Sequence, residues 1–278
     1  MDEVTFRLAG LLFIGWSMLL LAYAGFWKRR AGMAYYHAAA QASDDKERKE
    51  LAMRGVLAGN KDAARLYAIM QPDEFSTRYP DKAFKRKGVR CVFHHFYYPK
   101  RYEMYLDFEQ CCACKDVLDF KDGQADGVDF FSSGIARLNP NSGTVILFMP
   151  CSAGWKYWRR FKGMSNHIRC QCPDLTSGIS YLKYTGERQS LHLQKGRADI
   201  QMEKNYELTE NLKGKEVIIV DDLLTTGKSL KAFKEEVEKK GGKVVGAIFA
   251  AHTFEMPTRM EIFIHALFSY WEHRNEER

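Results

Sequence analysis

The sequence predicts an α/β fold on a parallel sheet, preceded by an N-terminal transmembrane helix, a helical hairpin and a small β/Cys-rich segment. Three observations carry the sheet. Residues 217–220 (VIIV) are four β-branched residues in a row, the pattern of a strand buried on both faces. Residues 229–240 follow with Leu230, Phe233 and Val237 on one helical face, and Gly241-Gly242 closes that helix before the apolar run 244–250. Residues 143–151 (GTVILFMPC) give another buried strand. Strand–helix–strand at this spacing predicts parallel pairing and a right-handed crossover. Ligands in such sheets lie at the carboxyl ends of strands, here residues 150–152 and 221–229.

From the N-terminus, residues 8–27 (LAGLLFIGWSMLLLAYAGFW) carry no charge and would span about 30 Å as a helix. Trp16, Tyr23 and Trp27 suit an interface, and Lys28-Arg29-Arg30 follow at once. Asp2, Glu3 and a single base, Arg7, precede the run, so the positive-inside bias predicts a single-pass membrane anchor over residues 1–30 with the main domain in the cytoplasm. Ala22-Tyr23-Ala24 offers a signal-peptide cleavage pattern, but the acidic start is wrong for one. Residues 31–80 read as an Ala-rich helical hairpin spacer turning at Gly59-Asn60. Residues 81–90 (DKAFKRKGVR) read as a basic solvated linker, which anionic lipid would attract weakly.

Residues 81–123 form the β/Cys-rich segment. Val92, Phe93, Phe96 and Tyr98, then Tyr102, Met104, Leu106 and Phe108, alternate like a β-hairpin. Cys91-x2-His94 and Cys111-x2-Cys114 bracket it, and a hairpin joining these pairs would build a tetrahedral zinc site from sulfur and nitrogen. Seven cysteines, odd in number and irregular in spacing, do not make a disulfide framework. They point to a reducing compartment or a metal. The net charge of +7 is modest and compatible with an anionic substrate, a membrane surface or nucleic acid. Direct nucleic-acid binding is not expected, because basic and aromatic residues do not interleave.

The chemistry concentrates after residue 220. A strand running through a polar loop into a helix N-terminus is an anion site, because the first helical N–H groups lack internal partners. Gly227 lets backbone approach a phosphate, and Thr225, Thr226 and Ser229 add hydroxyls beside Lys228. Asp221 and Asp222 cannot serve that anion; paired carboxylates there suit the vicinal hydroxyls of a ribose, with Mg²⁺. A P-loop would need Gly where Asp222 stands, so Gly227-Lys228-Ser229 alone argues only weakly for an ATP-dependent enzyme.

This stretch strongly resembles the phosphoribosyl-pyrophosphate (PRPP) signature of type I phosphoribosyltransferases: apolar strand, two acids, two variable residues, Thr-Thr-Gly and a hydroxyl residue. It is similar in particular to the ComF-like branch, through Pro150, Arg159-Arg160-Phe161, Asn166, Lys183, Thr185, Gln189 and Arg197. It departs from that branch in Gly163, in Gly196-Arg197 for Glu-Arg, and in Lys183 for Arg. The composition turns to that of an α/β domain near residue 124, so a phosphoribosyltransferase-like domain is expected over residues 124–256 and a C-terminal helical extension over 257–278; the resemblance itself covers about residues 143–254. It implies that Asp221 and Asp222 hold the ribose hydroxyls, that residues 225–229 hold the 5′-phosphate, and that Mg²⁺ accompanies PRPP. ComF-like proteins often carry a Cys-rich zinc module, in keeping with Cys91, His94, Cys111 and Cys114. Arg159, Arg160 and the N–H groups of residues 152–154 are the candidates for pyrophosphate. The excursion 183–204, with Lys183, Arg188, Lys195 and Arg197, has the length and charge of a lid. Purine-specific relatives place an Asp where this chain has Thr225, which disfavours a purine-salvage enzyme of that kind. The resemblance leaves two functions open, a phosphoribosyl transfer enzyme and a non-catalytic PRPP or nucleotide-binding protein in DNA uptake or regulation. Expected partners are PRPP, the membrane and a second copy of the chain.

Overall fold

The computed structural model describes residues 3–75, 82–187 and 204–276. It divides into two compact units, one of residues 1–75, 101–106 and 255–278, the other of residues 76–100 and 107–254. The first is helical: α1 (Glu3–Gln41), α2 (Asp45–Leu57), α3 (Lys61–Met70) and α4 (Pro72–Phe75). Asp44 caps α2 by accepting from Glu47 N–H, and Asn60 caps α3 by accepting from Asp62 and Ala63 N–H. Gly59, at φ +82°, makes the turn between them, so this hairpin folds where Gly59-Asn60 predicts it. The C-terminal residues form the helix Arg259–Glu276, which packs in this same unit, where Tyr67 Oη donates to Ser269 Oγ at 3.2 Å.

The membrane span is not borne out. Among the described residues no helix is long and apolar enough to cross a membrane. The single-pass, cytoplasm-facing placement falls with it.

The second unit is α/β. Its strands β1 (Ala83–Arg86), β2 (Val89–Tyr97), β3 (Thr144–Phe148), β4 (Leu175–Ser177), β7 (Glu216–Leu224) and β8 (Lys243–Thr253) form one sheet in the order β1-β2-β8-β7-β3-β4. Every neighbouring pair is parallel except β1 with β2. Short strands β5 (Leu182–Tyr184) and β6 (Tyr206–Leu208) pair antiparallel apart from it. The helices are α5 (Phe108–Lys121), α6 (Val128–Leu138), α7 (Gly154–Gln171) and α8 (Lys228–Lys239). Residues 217–220 and 145–148 are buried, as their unbroken apolar runs require. On α8, Leu230, Phe233 and Val237 are the buried face.

The β/Cys-rich reading needs correction. The hairpin is β1–β2, turning at Lys87-Gly88 with φ of 52° and 76°, and it lies in the basic stretch read as a linker. The residues assigned to a second strand fold instead as a 3₁₀ turn (Lys100–Tyr105) and α5. Asp107 and Gln110 form a reciprocal capping box that starts this helix.

Candidate functional site

The site is built at the carboxyl end of β7. The strand continues through both acids, with Asp221 opposite Phe249 and Leu224 opposite His252 on β8. Both carboxylates are therefore in the sheet and buried, at 9% and 7% exposure. Burial pushes the Asp221 carboxyl well above the usual carboxylate range, the neighbouring Asp222 charge adds to that, and Arg160 opposes it. Asp221 Oδ1 accepts from Asp222 N–H at 2.9 Å, which fixes its rotamer. It lines a pocket of about 290 Å³, open mouth included, together with Thr225, Thr226, Gly227, Lys228 and Ser229.

Gly227, at φ +73°, turns the chain into α8, and no side chain caps that helix. The first N–H groups of α8 are therefore left to an external acceptor. Gly227 is needed sterically too, since a Cβ there would stand 3.0 Å from Arg86 Cγ. Arg86, at the β1–β2 turn, donates through Nη2 to Thr225 O at 3.4 Å. Read from the sequence, Arg86 belongs to a solvated linker; its arrival at this loop depends on the β1–β2 hairpin and on β2 pairing with β8.

A second turn of the same kind stands beside the first, because β3 and β7 are parallel neighbours. β3 leads through residues 149–153 into α7, which also starts without a side-chain cap. Arg160 on α7 does not stand free to meet pyrophosphate. Its Nη1 lies 3.3 Å from Asp222 Oδ2 and 3.8 Å from Asp221 Oδ1, and its Nε donates to Lys121 O at 3.0 Å. It is the acid pair's own counter-cation. Arg159 is exposed, with its guanidinium over the Trp155 ring at 5.3 Å. Lys183 is on β5, opposite Glu207 in the ladder. Arg188, Lys195 and Arg197 lie outside the described residues.

The four expected zinc ligands are not brought together. Cys91 and His94 are three apart on one strand, which turns their side chains to opposite faces. Cys91 is fully buried and its thiol is pushed up to about 12 by that burial. Cys111 is exposed on α5, while Cys114 Sγ accepts from Tyr98 N–H at 3.3 Å. Among the described residues no group of three or more His, Cys, Asp or Glu could hold a metal ion. Asp221 and Asp222, the carboxylates expected to serve the ribose and Mg²⁺, are bridged by the Arg160 guanidinium.

Residues 160–260 match the family described as the phosphoribosyl transferase domain. The chain is similar to an adenine phosphoribosyltransferase of Desulfosudis oleivorans, 38% identical over 65 residues, which cover 23% of this chain and 38% of that protein. It is similar also to an adenine phosphoribosyltransferase of Petrotoga mobilis, 54% identical over 39 residues, 14% of this chain and 22% of that protein. The chain thus spans well under half the length of these curated relatives. The matches carry the domain type, on an α/β fold with a mostly parallel sheet, and not the ComF-like branch.

Proposed function

We propose that the chain binds PRPP and transfers its phosphoribosyl group to an acceptor, with pyrophosphate leaving. In this reading Asp221 and Asp222 accept from the ribose 2′- and 3′-hydroxyls, and the loop 225–229 holds the 5′-phosphate on backbone N–H groups and hydroxyls. The α7 N-terminal turn takes the diphosphate, whose bond to C1 breaks as the acceptor's bond forms. Mg²⁺ brought in with PRPP would supply positive charge to the departing diphosphate. One observation carries the reading: a single loop joins a buried acid pair to an uncapped helix N-terminus. The family match over residues 160–260 supports it.

A non-catalytic PRPP-binding protein of the ComF-like kind is the second reading. Asp221 and Lys228 are the ionisable groups among the described residues lining the pocket, and this reading gives the first to the ribose and the second to the 5′-phosphate, with none assigned to an acceptor. Calorimetry of the full chain should detect PRPP and ribose 5-phosphate; binding of neither overturns both readings. Labelled PRPP offered with adenine, the base named for both relatives, then separates them by release of pyrophosphate.

A further inference from the structure

Tyr184 is on β5 and Asn205 stands just before β6. Both reach back to the same turn. Tyr184 Oη accepts from Cys151 N–H at 2.8 Å. Asn205, only 5% exposed, donates through Nδ2 to Ser152 O at 2.8 Å and to Gly186 O at 3.2 Å. Thr185 N–H donates to Asn205 O at 3.0 Å, so the two segments are also tied to each other. The Tyr184 ring lies against Gly154, where a Cβ would stand 3.1 Å from its Cγ, and 5.5 Å from the ring of buried Tyr157 on α7. The turn that opens α7 is thus held at one N–H and at the next carbonyl by side chains from outside it. A flexible turn would have to be ordered by its ligand, and that entropy would be lost from affinity. A preset turn presents its remaining N–H groups without reorganisation.

We propose that Tyr184 and Asn205 are positioning residues that preset the turn 151–154 to receive the diphosphate of the ligand. The inference rests on the phosphoribosyl reading above and deepens it. Neither residue contacts the loop 225–229 in the described hydrogen bonds, so the effect is selective. In the full chain, Tyr184→Phe keeps the ring on Gly154 and deletes the acceptor of Cys151 N–H. Asn205→Ala deletes the donor to Ser152 O. Each should weaken PRPP roughly tenfold, the effect of one lost hydrogen bond, while ribose 5-phosphate binds as before. Hydrogen exchange, which needs no ligand, should quicken at the amides of residues 151–155 in Tyr184→Phe. Equal losses for both ligands, no loss for either, or unchanged exchange at these amides overturns the inference. If the wild-type chain binds neither ligand while exchange responds as stated, the phosphoribosyl reading has failed, and the inference fails through it. Tyr184→Phe alone decides the matter should Asn205→Ala not fold.

Discussion

Asp221 is a residue kept against the interest of stability. Its carboxyl is buried beside a second carboxylate, and both effects raise its folded-state pKa above the unfolded value of about 3.9. A carboxyl with a raised pKa contributes stability below the unfolded value and loses it as pH rises through the folded value, so at neutral pH Asp221 is a cost. Asp221→Asn should therefore melt higher than wild type at pH 7, and the gap should close as pH falls toward 4. The same change should weaken a ribose ligand by about 1.5–3 kcal/mol, the value of a charge-assisted hydrogen bond. Thermal melts across pH, with calorimetry of ribose 5-phosphate, check both halves; a variant both less stable at pH 7 and unchanged in affinity would remove Asp221 from the site. Gly227→Val acts through shape. At φ +73° a β-branched residue is strained by about 1–3 kcal/mol, and its Cβ would press Arg86. Ribose 5-phosphate should lose affinity in this variant, and ribose, which lacks the phosphate, should not.

At the scale of elements, the strands and the loop could be read because their signals are local. Unbroken β-branched runs, a left-handed Gly and paired acids each state their own requirement, and β3, β7, α8 and β8 fall where the sequence predicts them. Residues 102–108 could not be read this way, since alternation over so few positions fits a strand and a 3₁₀ turn alike. The Asp107–Gln110 capping box was the better signal there. Arg160, Tyr184 and Asn205 were illegible in their roles for a different reason: their partners come from α5, β7 and the turn after β3, and only tertiary pairing brings them together. The same correction predicts thiol chemistry. On a β2 buried between β1 and β8, Cys91 has no access and a pKa of about 12, while Cys111 and Cys170 are exposed. Iodoacetamide at pH 8 should label Cys111 and Cys170 in the folded chain and leave Cys91 unlabelled until denaturant is added. Mass mapping that finds Cys91 labelled as fast as Cys111 would mean β2 does not stand in the sheet.

At the scale of the molecule, every residue assigned to the ligand belongs to the sheet unit, and the C-terminal helix belongs to the helical one. That helix buries Ile262 and Ala266, and Tyr67 on α3 bonds Ser269 and meets His265 Nδ1 at 3.1 Å. His265 Nε2 also lies 2.8 Å from Glu74. Removing residues 255–278 would uncover Tyr67, fully buried in the intact chain, and leave its hydroxyl without these partners. Burying a large apolar side chain is worth about 1.5–3 kcal/mol, and two buried residues of the helix are lost besides. The helical unit should therefore melt well below its intact temperature, or not fold. The sheet keeps β8 to its end at Thr253, and with it the ladder that holds Asp221 opposite Phe249. Ribose 5-phosphate should bind the shortened chain as it binds the whole one, while far-ultraviolet dichroism shows helix melting early. Parallel loss of helix and of ligand affinity would mean that the site needs the C-terminal helix.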